Sequence, residues 1–224
     1  MDILDHLITL PWLLIGHLFF WPILIFAGLT APWNKVSGRM KHIWPGLCAG
    51  LLIMWQLKAG LAQGISIHLL GATLMTVLFG RQLAIVGMSV VLVGTSLIMT
   101  FNGYDSWLAL GLNGIISILL PVYISYQIVR LVFLYLPHNF FIYIFLSGFA
   151  NAMFTTGVVG VTSTVILLMT STMDSNFLLH NYLPAYLLII FPEAFITGGV
   201  LTLFVVYKPQ WVLSFDDDLY LKKS

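Results

Sequence analysis

Seven times along this chain a long apolar run is bounded by polar residues. The runs cover about residues 8–29, 43–62, 67–80, 82–101, 107–136, 139–172 and 183–207, and within them only Lys58, Arg130 and Glu193 are charged. A helix of about 20 apolar residues matches the hydrocarbon thickness of a bilayer. Inside lipid each backbone N–H and C=O has to be satisfied by the protein itself, which leaves helices and closed barrels. A barrel would be written as short alternating segments, and none occur. The pattern predicts an all-α integral membrane protein of about seven transmembrane helices in one bundle. Residues 1–213 are expected to form a single transmembrane domain, followed by a short tail at 214–224.

Composition excludes the alternatives. The 224 residues are 60% hydrophobic and 8% charged, against about 25% charged in a soluble domain. A net charge of +1 offers nothing for nucleic acid. The single cysteine, Cys48, excludes an intramolecular disulfide and a CxxC metal motif. The first residues carry Asp2 and Asp5 but no Lys or Arg, so the run from Ile8 to Leu29 reads as a span and not as a cleaved signal.

The third run, within "SIHLLGATLMTVLFG", is short. As a helix it rises about 21 Å against a core of about 30 Å. It is therefore either tilted into its neighbours at both ends or a half-buried helix lining a cavity. Lys35, Arg39, Lys41, Arg81, Arg130, Lys208, Lys222 and Lys223 fall on one side of the predicted topology, and only Lys58 on the other. The positive-inside rule then makes the C-terminus cytoplasmic and the N-terminus external. His68, at the mouth of the short run, faces outward with Asp2, Asp5, His6, Asp105, Asp174 and His180.

Few residues can carry chemistry. Imidazole is a common ligand of first-row metals, but such an ion needs three or four ligands, and HxxxH and HExxH are absent. His68 thus reads as a ligand or as an interface residue. Asn113, in "LALGLNG", is a supporting group or interhelical glue. Glu193, the only glutamate, lies beside Pro192 well inside the last run. It faces a cavity or a helix–helix partner, since an ionisable group there costs a few kcal/mol. His17 is a second ligand or a packed core histidine, while His42 and His138 read as interfacial anchors. No phosphate loop, nucleophile elbow or acid–base pair is present, so an enzyme is not expected and this chain does not hydrolyse ATP.

Three segments taken together resemble one family. "SIHLLGATLMTVLFG", "LALGLNGIISILLP" and "FPEAFITGGVLTLFVVYKP" are similar to the membrane substrate-capture subunit of energy-coupling factor transporters for cobalt and nickel, over about residues 43–213. The resemblance implies Ni2+ or Co2+ as the substrate, bound near the outer face by the free N-terminus, a histidine at position two and the histidine opening the short helix. His68 matches the last of these. It also implies a partner membrane coupling subunit with cytoplasmic ATPase subunits, in a bacterial or archaeal cytoplasmic membrane. The family opens with Met-His; here Asp2 stands in the histidine's place, and His6 is the nearest imidazole. The implied set is then Met1, Asp2, His6 and His68, with Asn113, Asp105, Glu193 and His17 in support. Two other readings stay open: capture of a small organic ligand, and a membrane assembly factor without a transport role.

Overall fold

The structure, a computed structural model, describes residues 2–34, 40–62, 65–104, 107–170 and 173–220. Six long helices form the bundle: α1 (Leu10–Thr30), α2 (Met40–Gln56), α3 (Ala72–Phe101), α4 (Leu110–Tyr135), α5 (Phe140–Thr170) and α6 (Ser175–Tyr207). A single turn, α7 (Asp217–Tyr220), follows. Among the described residues, five helices are long and apolar enough to cross a membrane: α1, α3, α4, α5 and α6. Their outer faces are as apolar as their inner ones. On α1, Leu13, Gly16, Phe20 and Ala27 face the bundle, while Leu14, Leu18, Phe26 and Leu29 are exposed. Such a surface is stable against lipid and not against water.

Where the sequence predicts separate third and fourth helices, the structure has one element with a break. Gly80 sits at φ 77°, ψ 173° inside α3, a conformation open to glycine and strained for other residues. The two arms fold back on each other. A Cβ built on Gly87 would lie 2.8 Å from the Met75 methyl carbon, whereas twelve residues of straight helix would separate these positions by about 18 Å. The first arm, residues 72–79, is buried along its whole length. The short third run is thus a fully enclosed arm rather than a half-buried one.

The chain is mostly helical, as the all-α class requires, with one small addition. Three short strands, β1 (Asp2–Ile3), β2 (Ala59–Ala62) and β3 (Ile65–Ile67), pair antiparallel in the order β1-β3-β2. The predicted second helix therefore ends at Gln56 and not at residue 62. Ile65 and Ile67 point into the core and Ser66 between them does not, as the period of two requires. The last helix begins at Ser175 rather than 183: a π turn at Leu178–Tyr182 lets the chain enter Pro184 without breaking. The same device, at Ile115–Leu119, precedes Pro121 in α4.

Close approach fixes α1 on α4. A Cβ on Gly111 would come within 2.4 Å of the His17 backbone nitrogen, and one on Gly16 within 2.6 Å of Leu112 N. The helices touch backbone to backbone, the contact that small residues permit in membranes. At the end of the bundle opposite the sheet, the chain after α6 packs against the first arm of α3. Leu213 N–H donates to the Leu78 carbonyl at 2.9 Å, and the Ser214 hydroxyl donates to the Val77 carbonyl at 2.7 Å. The Gly80 break leaves those carbonyls without helical donors, and the tail supplies them.

Candidate functional site

The site is built from backbone that leaves regular helix and from the side chains that hold it there. Between β3 and α3 the segment His68–Gly71 runs non-helically into the bundle. Its N–H groups need acceptors in an apolar setting. Glu193 on α6 provides them: its two carboxylate oxygens accept from Leu70 N and Gly71 N, each at 2.7 Å. Gly71 is in the left-handed region at φ 68° and starts the first arm of α3. Trp55 of α2, fully buried, donates its indole N–H to the Leu70 carbonyl at 3.2 Å. The same ring lies 4.5 Å from the His68 ring, centroid to centroid. His68 is 4% exposed, and its Nδ1 is 2.9 Å from the Leu69 carbonyl.

The amino-terminal segment reaches the same place. Asp2 pairs with Ser66 and Ile3 with Ile65, antiparallel. Going back along β1 is therefore going forward along β3, toward Ile67 and His68. Asn113 holds this strand as a peptide would. Its Oδ1 accepts from Ile3 N at 3.1 Å, and its Nδ2 donates to the Ile3 carbonyl at 3.0 Å. Asp5 closes the segment on its other side: its carboxylate accepts from Ala109 N at 2.8 Å and Leu108 N at 3.1 Å, where α4 starts.

The candidates thus separate. His68, Asn113, Glu193 and the backbone of Asp2 are drawn to one end of the bundle around β1 and β3. His6 is exposed there and lines a groove with Tyr104 and Leu108. His17 stands apart, midway along α1, accepting from the Trp21 indole N–H at 2.9 Å. Met1 and Asp105 lie outside the described residues. Among the described residues, no group of three or more His, Cys, Asp or Glu side chains comes together. Sequence reasoning missed Asp5 and Trp55. An acid just before an apolar run is a visible capping signal, but Trp55 carries none, since its partners lie across a turn of irregular chain. Beside the sheet a cleft of about 550 Å3 opens between Ser66 of β3, Leu4, Met99 and Tyr104.

The family pattern described as the cobalt uptake substrate-specific transmembrane region matches residues 2–211. The chain belongs to this family. It is a multi-pass membrane component of metal transport. Two solved structures share the fold. One, described as a transition metal transporter, is 19% identical with a TM-score of 0.74, covering 90% of this chain and 91% of that one. The other, a truncated transition metal transporter, is 18% identical with a TM-score of 0.73, covering 92% and 98%. No curated protein matches the sequence.

Proposed function

We propose that this chain is the substrate-capture subunit of an energy-coupling factor uptake system and that its substrate is a divalent transition-metal ion, cobalt or nickel. The observation that carries the reading is the pairing of β1 with β3, which sends the amino-terminal end of the chain toward His68. A free amine, backbone amides and one imidazole make a nitrogen-rich set suited to such ions, with Asp2 or His6 completing it in place of a second histidine. Asn113 and Glu193 are the supports of that set: each holds one of its two backbone segments. His6 stands in reserve at the same end, and His17 supports the helix rather than the ion.

The chain crosses a bacterial or archaeal cytoplasmic membrane seven times, counting the arms of α3 as two passages. The sheet lies outside with Lys58 beside it, and the other basic residues and the 214–224 tail lie inside. Transport is driven by a membrane coupling subunit and ATPase subunits, because no phosphate loop exists here. The cleft beside Ser66 gives the ion its approach from the external side.

The test is equilibrium binding of Co2+ and Ni2+ to purified protein with an untagged N-terminus. His68→Ala should weaken binding at least a hundredfold, by removing one of three or four ligands, a loss far beyond the fall in melting temperature expected from emptying a buried ring packed on Trp55. A micromolar site corresponds to about 8 kcal/mol. Binding that survives His68→Ala unchanged, or a wild-type chain that takes up neither ion, would sink the reading and bring the organic-ligand alternative forward.

A further inference from the structure

The metal site leaves a second cavity unused. It is a cleft of about 590 Å3 between α1, α3 and α4. Phe19, Ile23 and Phe26 of α1, Ile85 of α3, and Leu119 and Tyr123 of α4 form its walls. Phe19, Ile23, Phe26 and Tyr123 are all exposed, so the cleft opens toward the bilayer. One residue on its lining is charged, Arg81, beside Gln82, and no acidic residue is among them. The Gly80 break sets Arg81 in this position, as the first residue of the second arm of α3.

An arginine in a spanning element is costly unless water or a counter-charge reaches it. Arg81 is half-buried, and its guanidinium lies 5.2 Å over the Tyr126 ring. That ring takes a face of the guanidinium and leaves the edge N–H groups, whose fork matches a phosphate. The hydrocarbon walls match an acyl chain, which the surrounding bilayer supplies. Both features, an apolar slot and a cation at its end, are met by one molecule.

We infer that this cleft is a binding site for an anionic phospholipid. One acyl chain lies between α1 and α4, and Arg81, with Gln82 beside it, holds the headgroup phosphate. The occupant is a lipid and not free phosphate, because the slot is walled by side chains that bind no ion. On the orientation proposed above, the headgroup belongs to the cytoplasmic leaflet, where anionic lipids meet basic residues. The site does not depend on the identity of the transported ion.

Native mass spectrometry of the delipidated protein tests it, with phosphatidylglycerol or phosphatidylcholine of the same chain length added back. Wild type should retain phosphatidylglycerol about fivefold better, the effect of one well-placed cation. Arg81→Gln should abolish that preference and leave phosphatidylcholine unchanged, and Arg81→Lys, which keeps the charge and loses the fork, should keep only part of it. Ile23→Trp, which fills the slot from an exposed position, should lower retention of both lipids. Inorganic phosphate alone should not shift the melting temperature. Equal retention of the two lipids by wild type, or a preference undiminished in Arg81→Gln, would overturn the site. So would a shift with inorganic phosphate as large as that with phosphatidylglycerol. Should Arg81→Gln fail to fold, Ile23→Trp decides alone: phosphatidylglycerol retained as well as by wild type refutes the inference.

Discussion

Replacing Glu193 by glutamine should cost far more than its near-identical shape suggests. The carboxylate presents two acceptor oxygens to two backbone N–H groups, Leu70 and Gly71, both at 2.7 Å. A carboxamide has one such oxygen, and its NH2 must then face the other N–H, donor to donor. A charge-assisted hydrogen bond contributes about 1.5–3 kcal/mol, and a buried donor left unmatched costs about 1–3 kcal/mol. Glu193→Gln should therefore destabilise the protein by about 2–4 kcal/mol. For a chain of this size that is a fall of roughly 5–15 °C in melting temperature. Glu193→Ala, which abandons both N–H groups, should fall further. Thermal unfolding in detergent reads the stability, and hydrogen exchange at residues 70 and 71 reads the mechanism. Those amides should lose protection before the rest of the bundle does. Cation affinity should drop with them, because the backbone that carries His68 is released. A Glu193→Gln protein that melts with wild type and keeps amides 70 and 71 protected would refute the clamp.

Three further outcomes are expected. Asn113→Leu removes both bonds to Ile3; it should cost about 2–3 kcal/mol, expose the amino-terminal strand to exchange, and weaken cation binding without touching His68, all readable by exchange and calorimetry. Gly111→Ala should part α1 from α4 and lower the melting temperature by several degrees. Gly28→Ala, whose added methyl meets nothing within 4 Å, should be neutral, and equal melting of the two would contradict the backbone contact. Ser214→Ala should cost about 1–2 kcal/mol and raise exchange along residues 72–79, since it removes a donor to Val77 and the partner of the Tyr143 hydroxyl.

The membrane class was legible because lipid imposes one rule on a whole segment: twenty apolar residues have few ways to satisfy their own backbone. The polar residues inside the runs were legible as exceptions, which is how Asn113 and Glu193 drew notice. Their partners were not, because these are backbone groups 110 and 122–123 positions away, set by how helices stack and not by local pattern. The sheet escaped for another reason. Strands of two to four residues are too short for alternation to stand out inside an apolar run, so Ala59–Ala62 reads as the end of a helix. Pro184 misleads in the opposite direction: it looks like a helix start, yet a π turn absorbs it. The split between the runs ending at 80 and starting at 82 is visible in the sequence, but that Gly80 makes the reversal depends on one pair of dihedral angles.

The first arm of α3 has a mechanical character. It is eight residues long, about 12 Å of helix, and nothing along it is exposed. At its amino end Glu193 grips the two preceding N–H groups; at its carboxyl end the tail grips Val77 and Leu78. Held at both ends by hydrogen bonds and joined to the chain through glycines in the left-handed region at 71 and 80, the arm is set in the bundle as a separate part. Loosening either grip should therefore be felt along the whole arm, so that Ser214→Ala and Glu193→Gln raise exchange over the same residues from opposite ends.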